Sequence, residues 1–167
     1  MKEIEENIAE LFQATYDQLF RYIARLTGDV EQTKDIIQET FLKLYLLLVQ
    51  GKSVENQPGW LLRAGRNLAI DYLRKQRAEF IDEWPAECIV ISPLNQEEDL
   101  LERERNRAVQ LTLATLPPRE RACLKLRARG LSYKEIAQVL GISVNSVGPT
   151  LAHGLRKLRT GYAEKEI

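Results

Sequence analysis

The chain has 167 residues, 44% of them hydrophobic, with 24 Lys/Arg against 24 Asp/Glu and two cysteines, Cys88 and Cys123. That apolar share suits a packed core rather than disorder, whereas the longest apolar run, Leu44 to Val49, is far shorter than the about 18 residues of a membrane span. The cysteines have neither metal-ligand spacing nor a disulfide framework, and the acidic start MKEIEENIAE lacks the apolar segment of a signal peptide, so a cytoplasmic protein with reduced thiols and no membrane insertion is expected.

Helical periodicity runs through nearly all of the chain. Ile4, Ile8, Leu11, Phe12, Leu19, Ile23 and Leu26 fit one amphipathic helix ending at Gly28. Asp29 caps the next, with Val30, Ile37, Phe41, Leu44 and Leu48 toward the core. A polar loop from Gly51 to Gly59 precedes a third helix, about Trp60 to Arg77. Residues 79–96 are acidic, contain Pro85 and Pro93 and read as a linker. Glu97 opens a helix to about Leu116, and Pro117-Pro118 breaks it and starts another that ends at Gly130. Two small all-α domains are therefore expected, residues 1–78 and 97–167, joined by an acidic linker.

From Leu131 to Lys157 the chain reads as a helix-turn-helix. Ser132 and Glu135 form a capping box, and Ile136, Ala137 and Leu140 make an apolar face. Gly141 supplies the turn, and Ser143 caps the second helix. On that helix Val144, Val147, Leu151, Leu155 and Leu158 are expected inside. Asn145, Ser146, Pro149, His153, Arg156 and Lys157 are expected outside, where polar and cationic groups meet base edges and phosphates.

Charge is segregated along the chain. Residues 60–78 hold 5 Lys/Arg and 1 Asp/Glu, and residues 105–167 hold 12 and 4, while residues 79–104 hold 1 and 9. Two basic segments flanking an acidic one point to an interaction role. In the third helix Arg63, Arg66, Asn67, Ile70, Arg74 and Arg77 project to one side, opposite Leu61, Ala64, Gly65, Leu68 and Tyr72. A row of arginines matches a phosphate backbone, because guanidinium is planar, always charged and binds two oxygens at once. On the second helix Asp35, Gln38, Glu39 and Leu42 share one stripe suited to a basic helical partner. Asp35 and Glu39 also have i, i+4 metal-ligand spacing, but docking is the expected use. No nucleophile–base pair and no phosphate-cradling glycine loop is present, so neither enzymatic activity nor a cofactor or metal is expected.

The segments DIIQETFLKLY (Asp35 to Tyr45), QPGWLLRAGRNLAIDYLRKQR (Gln57 to Arg77) and LPPRERACLKLRARGLSYKEIAQVLGISVNSV (Leu116 to Val147), in this order, resemble the extracytoplasmic-function sigma factors of bacterial RNA polymerase. The resemblance implies a region 2-like domain in which Asp35, Gln38, Glu39 and Leu42 dock on core polymerase. It implies that Arg63, Arg66, Asn67, Arg74 and Arg77 face the −10 element, and that the Gly51 to Gln57 loop receives a flipped base. It implies a region 4-like domain reading the −35 element, a linker that mimics nucleic acid in the RNA exit channel, and an anti-sigma partner. The chain departs from the family at Gly148, Pro149 and Thr150, and His153 takes a place often held by arginine. A proline six residues into a helix bends it, or the helix starts later. The −35 contacts are then expected from Asn145, Ser146, His153, Arg156 and Lys157. The alternative is a helix-turn-helix regulator that binds duplex DNA without polymerase.

Overall fold

The computed structural model describes residues 2–77 and 100–163, with side chains in 2–77 and 107–161. Those residues form seven helices and no strand. They are α1 (Lys2–Thr27), α2 (Val30–Val49), α3 (Gln57–Lys75), α4 (Leu100–Ala114), α5 (Pro118–Ala128), α6 (Tyr133–Leu140) and α7 (Val144–Ala163). The all-α expectation holds. The linker expected at 79–96 and Cys88 lie outside the described residues. The chain divides into two compact units, Met1–Leu73 and Arg74–Ile167. The division falls near the end of α3, before the boundary expected at residue 78.

In the first unit α1 turns into α2 through Gly28, whose φ of 69° favours a residue without Cβ. Asp29 caps α2 as expected, its side chain accepting the Gln32 N–H at 3.0 Å. Leu19, Ile23 and Leu26 of α1 meet the buried seam of α2, which is Thr33, Ile36, Ile37, Thr40, Phe41 and Leu44. The two threonines are tolerated there because their hydroxyls are bonded. Thr33 Oγ1 donates to the Asp29 carbonyl at 2.6 Å, and Thr40 Oγ1 to that of Ile36 at 2.7 Å. Val30 and Phe12, expected inside, are 49% and 40% exposed. Val30 shares a face with Ile37 but belongs to the first turn, at the rim of the contact.

Helix α3 starts three residues earlier than expected. Asn56 acts as its cap, the side-chain oxygen accepting the Gly59 N–H at 2.9 Å, and Pro58 sits in the first turn where no backbone donor is missed. Its buried line is Leu61, Gly65, Ala69, Ile70 and Leu73. A Cβ on Gly65 would stand 3.1 Å from Ile23 Cδ1 and 3.5 Å from Thr40 Oγ1. Gly65 thus lets α3 approach both neighbours. That approach pulls Ile70, expected among the arginines, into the core at 5% exposure, and leaves Ala64, Leu68 and Tyr72 half-buried.

In the second unit α5 is the central helix, with Glu120, Ala122, Cys123, Leu124, Lys125 and Leu126 all buried. Burial pushes the Cys123 thiol up from its ordinary pKa, against a smaller opposing pull from Arg119. This helix is covered on most sides, so its sequence carries little amphipathic signal. It begins at Pro118 as expected, and Gly130, with φ 90°, follows its end. The buried line of α7 is Val147, Leu151 and Gly154, with Leu158 half-buried. Val144 and Leu155, expected inside, are 46% and 56% exposed. The reason lies at Gly154, where a Cβ would meet Leu124 Cδ1 at 2.9 Å. The closest approach of α7 to α5 runs along the glycine, which turns Leu155 outward.

Candidate nucleic-acid interfaces

The outward face of α3 follows from the seam just described. With Leu61, Gly65, Ala69 and Leu73 inside, Arg63, Asn67 and Arg74 are exposed on the far side. Arg77 is exposed just beyond the helix. Arg66 differs from them. It is half-buried, and its Nη1 donates to the Tyr22 hydroxyl of α1. The Arg66 guanidinium also lies 5.9 Å from the Tyr22 ring centre, and that of Arg25 lies 6.0 Å from it. Tyr22 was not anticipated. It occupies a helical position like its neighbours, and nothing in the sequence tells an α1 tyrosine that it will face an α3 arginine 44 residues later.

All four residues of the acidic stripe on α2, Asp35, Gln38, Glu39 and Leu42, are exposed. Glu39 holds Lys43 at 2.8 Å, and Leu42 is 56% exposed. The stripe is longer than expected, because Leu46 and Val49 continue it at 46% and 44% exposure. They lie within the unbroken apolar run Leu44 to Val49, where periodicity is silent. Gly51, with φ 75°, then ends α2, and the following loop residues Lys52, Ser53, Glu55 and Asn56 are exposed.

The capping box and the glycine turn of the helix-turn-helix are built as expected. Ser132 Oγ accepts the Glu135 N–H at 3.3 Å, and Glu135 Oε2 accepts the Ser132 N–H at 2.8 Å. Gly141 is left-handed, with φ 63° and ψ 38°. The cap expected from the Ser143 side chain is not formed; its backbone carbonyl accepts the Ser146 N–H at 3.0 Å instead. Helix α7 begins at Val144, so Pro149 stands inside it and not in its first turn. The carbonyl deprived of an amide partner is that of Asn145, four residues back, on the exposed side where water reaches it. This placement makes the proline tolerable.

Two of the expected groove-facing donors are engaged elsewhere. His153 Nδ1 lies 2.7 Å from Glu120 Oε1, and Lys157 Nζ lies 3.3 Å from each carboxylate oxygen. Burial raises the Glu120 pKa, but its bonds to His153 and Lys157 outweigh this and hold it below the ordinary value. His153 and Lys157 therefore occupy the flank of α7 that faces α5, their side chains 50% and 41% exposed. The outermost line of α7 is Asn145, Pro149, Ala152 and Arg156, all exposed, with Ser146 half-buried beside it. Glu120 was missed too, although it left a signal: it is one of four acidic residues in a segment with 12 Lys/Arg.

Among the described residues no helix is long and apolar enough to cross a membrane. Residues 11–79 match the model of Sigma-70 region 2, and residues 106–158 match that of Sigma-70, region 4. The chain is 32% identical over 163 residues to the ECF RNA polymerase sigma factor SigL of Mycobacterium tuberculosis (Erdman strain), covering 93% of this chain and 91% of SigL. It is 30% identical over 163 residues to the ECF RNA polymerase sigma factor SigE of Mycolicibacterium smegmatis, covering 93% of this chain and 61% of that longer protein. Among solved structures it is similar to the sigma factor RpoE in complex with the anti-sigma factor NepR from Bartonella quintana, at 19% identity and a TM-score of 0.43, covering 93% of this chain and 96% of that one. The chain belongs to the extracytoplasmic-function sigma factors of RNA polymerase, within the sigma-70 family.

Proposed function

We propose that this chain joins core RNA polymerase, selects promoters and assists the opening of DNA. The observation that carries the reading is the exposed Arg63–Asn67–Arg74 face of α3, in the same chain as a capped helix-turn-helix. Arg63, Arg66, Arg74 and Arg77 contact phosphates of the −10 element, and Asn67 donates to a base edge there. Binding energy alone opens the duplex, with capture of an unpaired base offsetting an unpairing cost of a few kcal/mol. The stripe Asp35, Gln38, Glu39 and Leu42, extended by Leu46 and Val49, docks on the polymerase. An anti-sigma protein covers part of this surface when transcription is held off.

In the second unit Asn145 and Ser146 read the −35 element and Arg156 holds a phosphate. His153 and Lys157 reach DNA only by leaving Glu120, so they belong to the periphery of this contact. A regulator that works without polymerase is not favoured, since the region 2 match spans the N-terminal unit as well.

Reconstituted holoenzyme transcribing a genomic fragment library provides the test. Discrete start sites preceded by a shared pair of elements are expected, with no shift of promoter duplex by the free chain at physiological salt. Absence of initiation from every fragment, or a sequence-specific shift by the chain alone, would overturn the proposal.

A further inference from the structure

We infer that α1 contributes to strand binding through a cationic cleft it forms with α3, in which Tyr22 is a positioning residue for Arg66 and the ligand is one nucleotide's sugar-phosphate from an unpaired DNA strand. The inference rests on the reading of α3 as the −10 surface and adds a second wall to it. The cleft is widely open to solvent, has a volume of about 490 Å³ and is lined by Gln18 and Tyr22 from α1 and by Gly59, Leu62, Arg63 and Arg66 from α3. Each wall is made of residues one turn apart, Gln18 with Tyr22 and Arg63 with Arg66, and both walls belong to the first unit. The volume falls in the range of small-molecule sites and has room for a nucleotide.

The chemistry of the lining selects the ligand. It includes two guanidinium groups and no carboxylate, so it favours an anion. Arg66 is not a loose surface cation. Its bond to the Tyr22 hydroxyl restrains the guanidinium, and part of the cost of ordering a long side chain is met before any ligand arrives. The guanidinium groups of Arg25 and Arg66 lie over the Tyr22 ring, so the ring helps to hold the cations in place, and Leu62 and Gly59 complete the lining. A groove of fixed cations that tracks the backbone is the sequence-independent part of single-strand binding. Continuity with exposed Asn67 on the next turn of α3 also favours nucleic acid.

The test uses the full chain and a fluorescein-labelled, random-sequence 12-nucleotide single strand, followed by anisotropy across a salt series. Tyr22→Phe keeps the ring and removes the hydroxyl. It is expected to weaken binding about fivefold while the thermal midpoint stays within about 2 °C of the parent. Arg66→Ala is expected to weaken binding at least as much and to make the salt slope shallower by about 0.7. Adding Tyr22→Phe to Arg66→Ala is expected to change nothing further, because the hydroxyl acts through the arginine. Parent-like affinity in Tyr22→Phe overturns the inference, as does additivity in the double variant. Displacement of the strand by an oligoglutamate peptide of equal charge, at equal concentration, also overturns it. Arg63→Ala and Arg74→Ala separate the two levels of the argument. If they weaken binding and Tyr22→Phe does not, only the cleft assignment falls. If none of the arginine variants matters, the −10 reading of α3 falls with it.

Discussion

The outer faces of α3 and α7 were expected to do the same work, and the structure treats them differently. Arg63 of α3 is exposed and pairs with no carboxylate among the described residues. On α7, His153 and Lys157 converge on Glu120, a carboxylate 8% exposed on a neighbouring helix. Both helices carry cations at helical spacing. A cation's place on a helical wheel says which way it points, not what it meets there. The first unit leaves cationic surface open toward solvent, whereas the second spends two of its donors on holding α7 against α5. Its outermost line is correspondingly poor in charge, with Arg156 the one cation among Asn145, Pro149 and Ala152.

Substitutions on the exposed face of α3 have the largest expected effect. Reversing Arg63 and Arg74 to glutamate should lower holoenzyme transcription on the order of a hundredfold, taking about 1.5 kcal/mol for each charge-assisted contact. Circular dichroism should stay unchanged, since both side chains are exposed. Alanine at His153 and Lys157 should cost transcription far less, and an equal loss in the two pairs would erase the distinction drawn above.

A second test addresses the contact that orients α7. Gly154→Val places atoms where Leu124 Cδ1 already stands within 2.9 Å of a Cβ. Overpacking of this kind costs about 1–3 kcal/mol, read as a lower denaturant midpoint. Gly148→Ala meets only Tyr133 Cε2 at 3.6 Å, an ordinary contact, and should not lower the midpoint. Equal midpoints in the two variants would mean that Gly154 does not set the approach.

Smaller effects belong to the caps and the buried carboxylate. Ser132→Ala removes one half of the capping box and should cost about 1 kcal/mol, as should Asp29→Ala in the first unit. Matched losses would show that both units depend on local capping to the same degree. The smallest effect is a pH dependence. The folded pKa of Glu120 is lowered, so its contribution to stability is present above the unfolded carboxylate value and is lost as pH falls through the folded one. Denaturant titrations from pH 7 down to about 3 should show a shallower acid decline for Glu120→Gln than for the parent. An identical decline would mean that the pairing with His153 and Lys157 contributes nothing to stability.

Much of this architecture could be read before any coordinates. The capping box at Ser132 and Glu135, the Asp29 cap, the Pro118 start and the left-handed glycines at 28, 130 and 141 are local devices. Each satisfies a few backbone groups within several residues, so sequence suffices to place it. The family membership was legible for the same reason: its motifs are runs of such devices with fixed apolar spacing. Apart from the earlier start of α3, the unformed Ser143 cap and the position of the unit boundary, the differences concern lateral position on a helix. Ile70 belongs to the core, and Leu155 and Val144 do not. In α3 and α7 a glycine lets another helix come close, and that approach decides which line of side chains is covered.

Sequence by itself therefore determined the order of the helices and most of their ends, that two helical units exist, and which segments carry charge, because backbone satisfaction and hydrophobic period act over a few residues. Only the tertiary structure decided that Tyr22 orients Arg66, that Glu120 holds His153 and Lys157, and that Gly65 and Gly154 set the buried faces. These are contacts between residues tens of positions apart. Their partners are chosen by how closely two helices approach, a distance fixed by the packing of both and by no segment alone.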